Sequence, residues 1–283
     1  MADPLAVEPL PFVPAEPFRF VVEEGKVREF ARATGSRCAD HLRPVDPVSP
    51  VTFLIASALW MGEENSAWRG IVRDVRNRLH GEQEFVFGPG GPPAAGTELV
   101  GLQSIGDRYA KAGRRGGTMT FTWVLTRFWP AGSSTSDDPA VELRSLSINT
   151  SQPPPAATGS AAAEVPVPAG AYVAPPLTVN DFVRYQGASG DFNPIHHDPA
   201  VARAGGFPEP FAVGMLAAGV AANQLCERYG ARAVRRYRVR WSAQAWPGDA
   251  LRYVEVREGD RATVTVTRPN GATHLTAWAE LAP

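Results

Sequence analysis

Residues 151–176, SQPPPAATGSAAAEVPVPAGAYVAPP, are a Pro- and Ala-rich run that reads as a semi-rigid connector rather than a core element. It divides the chain into segments 18–150 and 177–283, preceded by an N-terminal arm at 1–17, and the two segments follow one plan. In the second, Thr178-Val-Asn-Asp181 has the spacing of a capping box and opens a short helix, DFVRYQGASG, which its glycines end. In the first, EEGKVREFARATG at 23–35 reads as a helix stopped by Gly35. Each segment then has a loop and an apolar helical stretch, PVTFLIASALWM at 50–61 and AVGMLAAGVAANQLCERYG at 212–230. Strands follow: GGTMTFTWVLTRF at 116–128 in the first, and the alternating RRYRVRW at 235–241 and RATVTVTRPNG at 261–271 in the second. Turns mark Ala95-Gly96-Thr97 and Pro247-Gly248-Asp249.

The parallel order predicts an internal duplication. Placing Gly35 on Gly190, an offset of 155 residues, brings His41 onto His196, Ser36 onto Asp191 and Cys38 onto Asn193. Identities are few, so the order of elements carries the pairing. A helix followed by antiparallel strands predicts an α+β layer pair, a sheet wrapped around one helix, made twice and packed side by side.

Bulk properties exclude several classes. With a net charge of −1 the chain has no general attraction to nucleic acid or an anionic membrane. No segment has the ~18 consecutive apolar residues of a membrane span. Cys38 and Cys226 form neither a disulfide framework nor a zinc pattern, which points to a reducing, cytoplasmic setting. The start, MADPLAVEPLPFVPAEPF, lacks the basic and apolar regions of a secretory signal.

The stretch YQGASGDFNPIHHDPAVARAGGFPEPFAVGML, 185–216, carries the chemistry. Its Gly190, Asp191, Asn193, Pro194, His196 and Asp198, followed by Gly-Met-Leu at 214–216, resemble the hydratase-2 signature of the MaoC-like hydratase/dehydratase family. The whole chain resembles that family's two-hot-dog members, in which a degenerate N-terminal hot-dog domain precedes a catalytic one. The resemblance implies a double hot-dog fold and reversible hydration of trans-2-enoyl thioesters to (R)-3-hydroxyacyl thioesters. It implies that Asp191 and His196 hold one water between them, one as its base and the other handling the proton at the α-carbon. The N–H of Gly214 would stabilise the oxyanion, and Asn193 would orient the pair or the water. No metal, flavin or nucleotide is implied; the substrate carrier is coenzyme A or an acyl carrier protein. Many relatives have His before the helix glycine where this chain has Val213, a change that spares the Gly214 N–H.

Each of these residues also has a structural reading. An isolated Asp-x-Asn is most often a turn, but the full cluster ahead of the right helix favours function. For Asn193, loop shaping and catalysis weigh about equally, as do tight packing and the oxyanion role for Gly214. Asp198 reads as the cap of a helix at 199–204, His197 as structural or surface, and Cys226 and Met215 as core. His41 has lost its carboxylate partner, so the first half is expected to shape the acyl pocket without catalysing. Arg236, Arg238 and Arg240 share one strand face, by default solvated; a site for coenzyme A phosphates or an acidic carrier is the minority reading. Arg114 and Arg115 read as a hairpin turn serving solubility. The competing functions are a hot-dog acyl-thioesterase and a non-catalytic acyl-thioester-binding partner subunit. The fused halves either stand alone as an internal pseudo-dimer or pair again as a homodimer.

Overall fold

A computed structural model of the chain describes residues 7, 10, 13–71, 78–113, 117–151 and 163–282. Arg114 and Arg115, most of the N-terminal arm and residues 152–162 of the connector lie outside them.

The strands are β1 (Phe18–Val21), β2 (Arg78–Phe87), β3 (Glu98–Ala112), β4 (Thr118–Pro130), β5 (Val141–Thr150), β6 (Tyr172–Val173), β7 (Val234–Trp241), β8 (Arg252–Glu258), β9 (Arg261–Thr267) and β10 (Thr273–Leu281). All ten lie in one sheet, in the order β1-β3-β4-β5-β2-β7-β10-β9-β8-β6. Read from either edge to the middle, the order is the same: edge strand, then three meandering strands, then the strand at the seam. The duplication read from element order is thus a duplication of topology, a double hot-dog sheet. At the seam β2 runs antiparallel to β7, with Glu82 opposite Arg240 and Glu84 opposite Arg238.

The α-helices are α1 (Glu24–Ala33), α2 (Val179–Ser189), α3 (Pro199–Ala204) and α4 (Gly214–Tyr229). The capping box at α2 forms as its spacing predicts: the Thr178 hydroxyl accepts the Asp181 N–H, and the Asp181 carboxylate accepts the Thr178 N–H at 2.9 Å. Packed by the sheet, α4 is buried on nearly every side, and its run of Ala and Gly lets neighbours approach closely. Tyr237 on β7 donates its hydroxyl to the Ala218 carbonyl at 2.7 Å, tying helix to sheet. From the first half, Thr34 accepts two hydrogen bonds from the Asn223 amide, both at 3.0 Å.

Two expectations change. The apolar run at 50–61 is not a second long helix but 3-10 turns at Phe53–Trp60. Its residues are apolar in every direction, so no periodicity favours α over 3-10, and no side chain caps its start. The connector also does more than connect. Tyr172–Val173 is the edge strand β6 on β8, and the Val165 carbonyl accepts from Arg252 at 2.7 Å.

Candidate active site

The loop after α2 is built from local rules. Gly190 caps α2 with φ +78°, a left-handed conformation that suits glycine, and a Cβ there would lie 2.7 Å from Leu59 Cγ of the first half. The chain then turns through Asp191 and Phe192 into the 3-10 turn Pro194–His196. Asn193 caps that turn by accepting the Ile195 N–H at 3.2 Å, and Asp191 Oδ1 accepts the Asn193 N–H at 3.3 Å. Asp198 caps α3, accepting from Ala200 at 2.7 Å and Val201 at 3.3 Å, as its sequence position suggested.

His196 is buried and Asp191 exposed. The His196 Nδ1 lies 2.8 Å from the Phe211 carbonyl, which only accepts, so the neutral ring carries its proton on Nδ1 and keeps the lone pair on Nε2. Burial pushes the His196 pKa down, and the nearby Asp191 charge opposes that shift. The structure therefore brings Asp191 and His196 within electrostatic reach, with the imidazole held neutral, the state in which Nε2 can accept a proton.

Gly214 opens α4 behind Val213, which has no capping side chain, so the first N–H groups of the helix have no partner within it. The Trp241 indole lies against Gly214: a Cβ there would be 2.7 Å from Trp241 Nε1. That ring in turn packs on His80 of β2, with centroids 4.6 Å apart. His197 is exposed, and its Nδ1 lies 2.8 Å from Gln186 Oε1.

The first-half counterpart is closed. Ser36 Oγ and His41 Nδ1 are 2.7 Å apart, the pairing that the 155-residue offset matches to Asp191 and His196. His41 is fully buried, and burial pushes its pKa down to about 4. Asp40 pairs with Arg43 and accepts the Ala231 N–H at 2.9 Å, and its charge opposes the His41 shift without cancelling it.

Arg236, Arg238 and Arg240 of β7 are engaged across the seam. Arg236 Nε bonds Glu84 at 2.7 Å, Arg238 Nε bonds Glu82 at 2.9 Å, and Arg240 reaches Glu82 at 3.8 Å. Among the described residues no group of three or more His, Cys, Asp or Glu could hold a metal ion. None of the described helices is long and apolar enough to cross a membrane.

Sequence reasoning passed over Gln186, Phe211, Trp241 and Leu59 as site residues. Gln186 stood inside the motif, in the last turn of the helix that ends at Gly190. Phe211 acts through a backbone carbonyl, which leaves no mark in sequence.

Comparison with known proteins agrees with this fold. Residues 164–277 match the MaoC like domain, and residues 12–134 match the FAS1-like dehydratase domain region. The peroxisomal hydratase-dehydrogenase-epimerase of Saccharomyces cerevisiae is 39% identical over 71 residues, 25% of this chain and 8% of that protein. Enoyl-CoA hydratase ChsH3 of Mycobacterium tuberculosis is 32% identical over 100 residues, 34% of this chain and 35% of that protein. The chain thus matches only a small part of the first and about a third of the second. Among solved structures, a MaoC-like dehydratase from Phytophthora capsici superposes with a TM-score of 0.72 at 18% identity, covering 95% of this chain and 96% of that one. A conserved hypothetical protein of Mycobacterium tuberculosis with a double hotdog fold superposes with a TM-score of 0.61 at 12% identity, covering 96% and 98%.

Proposed function

The chain joins a FAS1-like dehydratase region to a MaoC-like domain in a double hot-dog fold, and on that premise we propose that it reversibly hydrates trans-2-enoyl thioesters to (R)-3-hydroxyacyl thioesters. The observation that carries the reading is His196: a buried imidazole with its Nδ1 proton committed to Phe211 and Asp191 within electrostatic reach. Water held by this pair gives its oxygen to C3 of the enoyl group. The pair takes one proton from that water and delivers one to C2, so it ends the cycle as it began. Negative charge gathers meanwhile on the thioester oxygen, where the Gly214 N–H at the start of α4 stabilises it. Asn193 shapes the loop through its cap and its N–H to Asp191. Water supplies both the hydroxyl and the proton in this scheme, and the pair only relays that proton.

The first half contributes the wall at Leu59 and His80, whose ring packs at a tilt on Trp241, while its Ser36–His41 pair stays buried. Coenzyme A or an acyl carrier protein bears the acyl group. The paired β7 arginines can contact its phosphates only while sharing their charge with Glu82 and Glu84. We assign the protein to the cytoplasm on its cysteine usage, and its double sheet makes a pseudo-dimer within one chain. The test is incubation with crotonyl-CoA and longer enoyl-CoAs, following loss of the enoyl chromophore, free thiol and product chirality. Hydration to the (R)-product supports the reading. Thiol release would replace it with a thioesterase, and acyl-CoA binding without turnover would replace it with a binding subunit.

A further inference from the structure

Gln186, in the last turn of α2, is 2% exposed and takes no part in the scheme above. Its amide nitrogen donates to the Asp191 carbonyl at 2.7 Å and to the Asn193 carbonyl at 2.9 Å. Both amide hydrogens are thereby spent on groups that only accept, which fixes the orientation of the amide. Oε1 can then only accept, so His197 Nδ1, 2.8 Å away, must carry the hydrogen between them. The Gln186 main-chain carbonyl accepts the Gly190 N–H at 2.8 Å, closing the helix end onto the same loop.

We propose that Gln186 is the positioning residue of this site: one buried side chain that fixes where Asp191 and His196 stand relative to each other. The proposal rests on the hydratase reading. Its three side-chain bonds fall on Asp191 itself, on Asn193 between the pair, and on the residue directly after His196. The Phe211 carbonyl holds the His196 ring from the other side, two residues before Val213 and the start of α4. The loop's own caps, at Asn193 and Asp198, are local and set no distance to α2. Gln186 alone among these groups spans the loop from Asp191 to His197. An Asp191–His196 pair that drifts by a fraction of an ångström still binds substrate but loses its shared water.

The full chain carrying Gln186→Leu keeps side-chain volume and loses all three bonds. Gln186→Glu keeps shape, but an ionised carboxylate cannot donate to two carbonyls. Each variant is expected to lower kcat by about 30–100-fold with KM within about threefold, measured on folded protein. Nitrogen-resolved NMR of His197 supplies a readout free of substrate. The wild type should show the neutral Nδ1–H tautomer, and Gln186→Leu should show the Nε2–H form that an unconstrained imidazole prefers. Wild-type kcat in both variants, a loss that only tracks the unfolded fraction, or an Nε2–H tautomer in the wild type would each overturn the proposal. Should the wild type hydrate no enoyl thioester, the hydratase reading falls, and the His197 tautomer then decides alone whether Gln186 holds the loop.

Discussion

Substituting Gly214 by alanine tests the oxyanion assignment through a contact that can be measured. The new Cβ would lie 2.7 Å from Trp241 Nε1, 3.0 Å from Cε2 and 3.1 Å from Cδ1. Ordinary contact needs about 3.5 Å, so helix and indole must separate by roughly 0.8 Å. The indole is a rigid ring backed by His80, so much of the movement falls on the start of α4. Overpacking of this kind costs about 1–3 kcal/mol, and the better helix propensity of alanine returns up to about 1 kcal/mol. Net destabilisation is therefore up to about 3 kcal/mol, several degrees in Tm for a chain of this size. Activity should suffer more: displacing an oxyanion donor by nearly 1 Å should cost about 10²-fold in kcat. Steady-state kinetics on crotonyl-CoA with a thermal melt separates the two effects. Adding Trp241→Phe removes the crowding edge of the indole and should recover about tenfold of kcat, the share due to crowding in a loss of about 10²-fold. If Gly214→Ala alone keeps wild-type kcat, its N–H is not the oxyanion donor. If the double variant recovers nothing, Trp241 is not what holds that N–H in place.

Three further outcomes follow from burial and pairing. Burial lowers the His196 pKa, so the acid limb of kcat/KM should fall below the usual histidine value of about 6.5; a limb above it would remove His196 as the neutral base. His41 and His274 are each pushed down to about 4 by burial, so below pH 6.5 the unfolded chain takes up protons that the folded chain refuses. Their contribution to stability is complete above pH 6.5 and falls by roughly 3 kcal/mol each toward pH 4, and melts that stay flat from pH 7 to 5 would contradict this. Arg268 and Asp249 form a buried pair at 2.8 Å, so Arg268→Ala should cost about 3–5 kcal/mol in denaturant unfolding, and a loss under 1 kcal/mol would show the pair to be dispensable.

Sequence carried the local rules of this fold well. Thr178 and Asp181 announce α2, Gly35 and Gly190 end equivalent helices, and the alternation of Arg236 to Trp241 places Tyr237 and Val239 in the core. The common order of elements foretold the mirrored strand order. The 50–61 stretch misled because its apolar run lacks the polar face that distinguishes a helix by period. Within the site, the residues that hold hydrogens in a local loop were visible as a motif. Those that act across the fold were not: Phe211 offers a backbone carbonyl, and Trp241 meets Gly214 only once β7 lies beside α4.

The central claim is that one pair, in the second half, does the chemistry, and three variants test it most directly. Hydration of crotonyl-CoA should fall about 10²–10⁴-fold in Asp191→Asn and in His196→Ala. In folded His41→Ala it should stay near the wild-type rate, because the Ser36–His41 pair is sealed from solvent. Unchanged turnover in Asp191→Asn and His196→Ala, or a comparable loss in folded His41→Ala, would contradict the account.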